Sequence, residues 1–121
     1  MTEQRVAGAF DFEKLRRAIE ERDAGTLASL YTEDARLRIV NHDTTPSFAS
    51  LLVGRGAIAG HLEDVCGREM TRRIEREVVG EERVAFEEVC EYPDGTRVLC
   101  AALLDVEDGR IACQTSVEAW D

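Results

Sequence analysis

The sequence lacks the long apolar segments of a membrane protein. No run approaches the roughly 18 apolar residues of a membrane-spanning helix, and residues 1–9 contain no apolar core long enough for a signal peptide. Apolar residues form 44% of the chain and charged residues 33%, which is typical of a soluble globular protein. We therefore expect a cytoplasmic protein with no membrane partner.

Basic residues are also scarce. The chain has 15 Lys and Arg against 25 Asp and Glu, which leaves a formal net charge of -10. A surface of this sign repels a phosphate backbone, so we expect no nucleic-acid partner. The arginines within residues 68–76 alternate with glutamates, a pattern typical of a solvated strand face with cross-strand ion pairs.

The cysteines lack the spacing of a metal site. The four cysteines contain no C-x-x-C pair, their nearest spacing is too wide for a zinc knuckle, and only two histidines are present. We therefore predict no metal site and no cofactor. Cys90, Cys100 and Cys113 each lie in an apolar strand pattern, where a free cysteine usually acts as a small buried hydrophobe. A redox or nucleophilic thiol is the alternative.

The order of the secondary-structure signals predicts a container. The 121 residues suit one domain, which can bury roughly two thirds of the surface that the unfolded chain exposes. We predict a flexible N-terminal arm over residues 1–10 and a single domain over residues 11–121. Two short helices, a strand, a third helix and a series of hairpin-linked strands should fold into a curved sheet wrapped over the helices.

Three helices are predicted before residue 68. Asp11 can cap the first. Its apolar residues recur at the three-and-four spacing of one helix face: Phe12, Leu15, Ala18 and Ile19. Thr26 can cap a shorter second helix that includes Tyr31. A third helix follows the Gly-Arg-Gly segment at residues 54–56, and Gly67 is placed to end it in a left-handed cap.

Strand patterns occupy the remainder of the chain. We place the strands at residues 35–40, 48–53, 70–79, 82–92 and 96–106, with a last strand ending near Trp120. An irregular loop at residues 41–47 separates the first two. Asp-Gly turns at residues 94–95 and 108–109 join the later strands, so the second half should be an antiparallel meander.

Three segments of the chain carry a family signature: LRRAIEERDAGTLASLYTEDA, GRGAIAGHL and DGRIACQTSVEAWD. Together they resemble the nuclear-transport-factor-two-like superfamily, particularly its small SnoaL-like branch, over nearly the whole chain. The resemblance implies an α+β fold, a cystatin-like cone in which a strongly curved, mostly antiparallel sheet holds three helices on its concave face. It also implies a mostly apolar pocket with a few inward polar groups.

The strand register singles out one acid. If the turn pairs Tyr92 with Thr96, then Glu88 faces Cys100 and shares with Phe86 a surface that is otherwise apolar. A carboxylate on an apolar face should have a raised pKa. Glu88 is therefore a candidate general acid or base, and Phe86 a candidate ligand contact. The alternative is that Glu88 meets water or one of the arginines.

The final strand offers two faces. Pattern alone favours burying one set: Ile111, Cys113, Thr115, Val117 and Ala119. The resemblance instead implies that the opposite set points into the cavity and contacts a ligand, together with Tyr31: Gln114, Ser116, Glu118 and Trp120.

The chain has two histidines, and each lies in a different kind of segment. His42 and Asp43 adjoin in the irregular loop, where an imidazole and a carboxylate could exchange a hydrogen bond and cover a pocket mouth. The alternative is an ordinary exposed loop. His61 lies on a half-apolar helix stripe, which is more typical of a boundary residue than of a catalyst.

The resemblance argues against steroid isomerisation. Ketosteroid isomerase, a member of the superfamily, needs a carboxylate base and two acidic hydrogen-bond donors. The corresponding positions here are Ala18, Ile39 and Ala101, which cannot supply those groups.

These observations lead to one functional prediction and one alternative. We predict a SnoaL-like protein of undefined activity that binds a small apolar or amphipathic ligand, with cofactor-independent acid/base catalysis of the isomerase, cyclase or hydrolase type as a candidate activity. The alternative is a non-catalytic protein-interaction or assembly domain of the same fold. Because the alternate faces of the sheet are more apolar than three helices can cover, we also predict a homodimer through the outer sheet face.

Overall fold

A computed structural model of the chain describes residues 9–121. Helix α1 spans Phe12–Glu20, and the Asp11 side chain caps it by accepting a hydrogen bond from the backbone N–H of Lys14 at 3.0 Å. The four apolar residues predicted for its inner face are buried. Of the predicted arm at residues 1–10, residues 1–8 lie outside the described residues, whereas Phe10 packs against the core.

The second helix begins earlier than the sequence suggested. Helix α2 spans Ala24–Ser29, and Asp23 is its cap rather than Thr26, because the Asp23 carboxylate accepts hydrogen bonds from the Thr26 N–H and hydroxyl groups. The link from α1 takes one left-handed residue, Arg22, at a φ of 57°. The placement of Tyr31 in this helix was wrong, since it begins strand β1, Tyr31–Val40.

The middle of the chain follows the predicted order. A 3-10 turn at Pro46–Phe48 leads into strand β2, Ser50–Val53, and helix α3, Arg55–Cys66. The predicted left-handed cap at Gly67 was wrong, because its φ is -79°. The residue that needs glycine is Gly54, which turns the chain into α3 at a φ of 95°.

Four long strands complete the sheet: β3 (Thr71–Val79), β4 (Arg83–Glu91), β5 (Arg97–Glu107) and β6 (Arg110–Trp120). The strand order is β2-β1-β6-β5-β4-β3, and every neighbouring pair is antiparallel except β1 with β6. The predicted meander and the register that pairs Glu88 with Cys100 are confirmed.

The core lies between the helices and the concave face of the curved sheet. Phe12 of α1 meets Phe86 of β4 edge to face, with ring centroids 5.9 Å apart. The largest fully buried side chains are Ile58, Leu104, Ile111 and Val84. A smaller apolar cluster of Met70, Cys90 and Val98 lies apart from the main core. Within residues 9–121, no helix is both long enough and apolar enough to cross a membrane.

Candidate functional site

A cavity of about 320 Å³ lies between the helices and the concave face of the sheet. Buried side chains of α1 and α2, including Leu15 and Leu27, line its closed end. The other end is its mouth, where Trp120 is 38% exposed. A volume near 300 Å³ is at the lower end of the range of small-molecule pockets.

The β4–β5–β6 register places polar residues in rows across the cavity wall. Glu88 pairs with Cys100, which pairs with Glu118. One row deeper in the cavity, Ala102 of β5 pairs with Ser116 of β6. Since side chains of paired residues lie on the same face, both glutamates of the first row face the cavity.

Glu88 forms a buried ion pair with Arg72 of β3. Arg72 Nε donates to Glu88 Oε2 at 2.5 Å and Nη2 donates to Oε1 at 3.2 Å, while the two side chains are only 9% and 6% exposed. Burial acts to lower the pKa of Arg72, but the charge and hydrogen bonds of Glu88 outweigh it and raise that pKa. Glu88 is thus not an isolated carboxylate, and the alternative of an arginine partner holds.

The sequence interpretation of residues 68–76 as a solvated strand face was wrong for Arg72. Strand alternation puts Met70, Arg72 and Ile74 on the concave side, while Arg73 is exposed. The apolar neighbours two positions away on either side were the signal in the sequence that Arg72 points inward.

Three of the four cysteines surround this ion pair. The Cys90 thiol donates to Glu88 Oε2 at 3.2 Å, and Arg72 Nη1 donates to the sulfur of Cys66 at 3.7 Å. Burial, and then the charge of Glu88, raises the pKa of Cys90 and of Cys100 to about 12. These thiols stay protonated at neutral pH. In the described part of the chain, no three His, Cys, Asp or Glu are grouped to hold a metal ion.

A β-bulge decides which face of β6 lines the cavity. Ile111 pairs with Val106 but Cys113 pairs with Asp105, so Ala112 is an extra residue. The extra residue reverses which side chains of β6 point inward after the bulge. The set that the apolar pattern favoured for burial is therefore exposed at Cys113. The opposite set lines the cavity: Gln114, Ser116, Glu118 and Trp120.

A directed hydrogen-bond chain links β1 to β6 inside the cavity. The Tyr31 hydroxyl donates to Gln114 Oε1 at 2.6 Å, and Gln114 Nε2 donates to Ser116 Oγ at 3.0 Å. Burial raises the pKa of Tyr31, so its phenol stays protonated as the donor. The Ser116 hydroxyl also makes a hydrogen bond with Cys100, which acts to lower the pKa of that thiol against the larger effect of burial.

Glu118 lies at the mouth and is held through one oxygen only. Asn41 Nδ2 donates to Oε1 at 3.0 Å, and Trp120 Nε1 donates to the same atom at 3.2 Å. Glu118 Oε2 has no hydrogen-bond partner among residues 9–121. Trp120 also stacks on Tyr92, with ring centroids 5.7 Å apart.

The predicted pair of His42 and Asp43 lies outside the cavity. Both side chains are exposed, with His42 Nε2 3.4 Å from Asp43 Oδ1. Their neighbours Asn41 and Thr44 line the cavity instead. Asn41 Oδ1 stabilises this loop by accepting hydrogen bonds from the backbone N–H groups of Asp43 and Thr44.

His61 lines the cavity, although its sequence pattern is more typical of a boundary residue. It extends from α3 into the cavity beside Leu62, and its ring has no hydrogen-bond partner among the described residues. Burial, followed by the positive charge of Arg68, lowers the pKa of His61, so the imidazole is neutral at pH 7. Its place next to an apolar stripe was the available signal, but that pattern also fits a boundary residue.

The three helices on the concave face of a strongly curved sheet form a cystatin-like cone, which is the fold of nuclear-transport-factor-two-like (NTF2-like) proteins. An NTF2-like protein of unknown function from Mesorhizobium loti superposes with a TM-score of 0.77 at 19% identity, over 89% of this chain and 87% of that chain. A protein with a cystatin-like fold from Silicibacter pomeroyi gives 0.74 at 19% identity, over 89% and 72%. An LEH-like epoxide hydrolase from M. tuberculosis gives 0.65 at 20% identity, over 89% and 79%. These likenesses establish the fold alone.

The family follows from the sequence match. The SnoaL-like domain model matches residues 12–114, and the chain therefore belongs to the SnoaL-like domain family. A comparison with curated proteins gives no match. The predicted family and fold class are confirmed.

Proposed function

We propose that the chain binds an amphipathic small molecule in its cavity and transforms it by acid–base chemistry without a cofactor. The observation that supports this most is an open cavity of about 320 Å³ whose polar groups have unused hydrogen-bonding capacity. An interaction domain of the same fold would have no need to leave this space unfilled.

Three side chains supply the groups for such chemistry. Glu118 Oε2 can accept a proton, the Ser116 hydroxyl can donate a hydrogen bond, and the neutral His61 can do either. Glu88 has a different role, because both of its oxygens already accept hydrogen bonds from Arg72. Isomerisation, cyclisation and hydrolysis all fit this set of groups.

The single tryptophan makes ligand binding directly measurable. Trp120 lines the cavity mouth, so its fluorescence should change when a ligand enters. We would titrate the protein with a panel of medium-sized ketones, lactones and epoxides. The variant Ala102→Phe fills the cavity wall, while Ala57→Phe places the same ring on an exposed position of α3 as the matched control.

Saturable binding that Ala102→Phe abolishes and Ala57→Phe retains would support the proposal. If no compound changes the Trp120 signal, or if Ala102→Phe binds as well as the unmodified protein, the interaction-domain alternative is favoured.

We also propose that two copies associate through the outer sheet face. Leu99, Leu103 and Val117 are each about half exposed there, at 47%, 54% and 49%. A two-fold axis would place this uncharged patch against itself. Light scattering should give about twice the 13.5 kDa chain mass, and Val117→Glu should give the monomer. A cytoplasmic location stays a prediction from the sequence.

A further inference from the structure

Glu118 is a partly buried carboxylate that has no cationic partner among residues 9–121. Its two hydrogen-bond donors, Asn41 and Trp120, are neutral, and both contact Oε1. Removing a carboxylate from water is unfavourable unless its charge is matched. The free Oε2 therefore lies where a positive group would be stabilised.

The other charges of the cavity wall are matched within the protein. Arg72 pairs with Glu88, and Arg68 at the mouth pairs with Asp64 at 2.8 Å. Beside Glu118 in the same row, Cys100 is an uncharged thiol at neutral pH, since burial raises its pKa to about 12. Among the described residues that line the cavity, one charge is thus left unmatched, and it is the negative charge of Glu118 at the mouth.

His61 does not supply the missing cation. Burial lowers its pKa, so at neutral pH the ring is uncharged and offers a lone pair. An ammonium group has several N–H donors, and the Glu118 carboxylate and the neutral His61 imidazole both line the cavity as acceptors. The net charge of -10 also favours the approach of cations over that of anions.

We infer that the cavity selects amphipathic amines, with the ammonium group on Glu118 Oε2 at the mouth and the apolar body directed toward Leu37, Phe86 and Ala102 in the interior. This inference rests on the proposed function in that the cavity must admit a small molecule. It adds the chemical class of the ligand and the residue that recognises it.

The test compares three probes that share one eight-carbon chain: 1-octylamine, 1-octanol and octanoate. At pH 7.4 the amine is cationic, with a pKa close to the lysine value of about 10.4. We expect octylamine to bind about tenfold more tightly than octanol, because hydrogen bonds to charged groups are stronger than neutral ones. Octanoate should bind more weakly than octanol. Trp120 fluorescence and calorimetry would give the dissociation constants.

Glu118→Gln should reduce the affinity for octylamine by about tenfold and the affinity for octanol much less, because only the amine loses a charged partner. The amide oxygen can still accept from Asn41 and Trp120, so the mouth keeps its shape. Glu81→Gln is the matched control, because it changes the net charge equally at an exposed turn. Thermal unfolding would show whether both variants are folded.

The outcomes separate this inference from the proposed function. If the three probes bind equally, or if octanoate binds best, the inference is overturned while ligand binding stands. If none of the three binds, the inference is overturned, and the proposed function is then decided by the titration with ketones, lactones and epoxides. The order of the three affinities in the unmodified protein decides the inference even if Glu118→Gln fails to fold.

Discussion

Breaking the buried ion pair should destabilise the protein severely. Arg72→Met keeps an unbranched side chain but removes the charge, so the carboxylate of Glu88, at 6% exposure, is left without a counter-charge. Removing one partner of a buried pair costs roughly 3–5 kcal/mol. The whole free energy of unfolding of a domain is about 5–15 kcal/mol, so this one change removes a large share of it.

Replacing both partners should cost much less than the two single changes together. Glu88→Leu alone leaves the guanidinium of Arg72 uncompensated, whereas Arg72→Met with Glu88→Leu puts apolar side chains in both places. Such replacements of a whole buried pair are often close to neutral. The double-mutant cycle should therefore give a coupling energy of at least about 2 kcal/mol. Urea unfolding followed by Trp120 fluorescence and circular dichroism would measure it.

The chain provides a matched control in the same two strands. Arg76 and Glu87 form another bidentate pair between β3 and β4, with both contacts at 2.9 Å, but the side chains are 78% and 34% exposed. Water replaces the lost partner there, so Arg76→Met should have a far smaller effect. Equal losses of stability in Arg72→Met and Arg76→Met would refute the argument from burial.

Two further predictions concern thiols and pH. Iodoacetamide at pH 8 should modify exposed Cys113 first, because burial raises the pKa values of the three thiols around the ion pair: Cys66, Cys90 and Cys100. Mass spectrometry should find these three nearly unmodified, and equal rates at all four cysteines would contradict the prediction. The pKa of His61 is lowered in the folded state, so the unfolded chain binds more protons below about pH 6.5, and stability should fall as the pH drops from 7 to 5.5. His61→Gln should flatten that slope in urea unfolding, and an unchanged slope would argue against the burial of the imidazole.

Local signals were sufficient to predict most of the fold. The Asp-Gly turn at residues 94–95 sets the β4–β5 register, and the predicted pairing of Glu88 with Cys100 is the one found. The apolar spacing of α1 likewise predicted its buried face. In each case the deciding information lies within a few residues of the element.

The candidate site was harder to predict because it depends on distant contacts. The bulge at Ala112 is a property of how β6 meets β5, and no local pattern in β6 reports it. The apolar residues on either side of Arg72, Met70 and Ile74, indicate that it points inward, but its pairing with Glu88 is a contact between β3 and β4 that no local pattern reports. The neutral donors to Glu118 come from Asn41 and from Trp120, so its missing counter-charge is visible only in three dimensions.

The parallel pairing of β1 with β6 has a consequence for folding kinetics. Tyr31 and Gln114 are 83 positions apart in the chain, and Asn41 and Glu118 are 77 apart. The β3–β6 hairpins close much shorter loops, so they can form before β1 docks. A ligand that needs both sides of this junction binds after the folding barrier is crossed. It should therefore slow unfolding and leave the folding rate unchanged, which a chevron plot with and without octylamine would reveal.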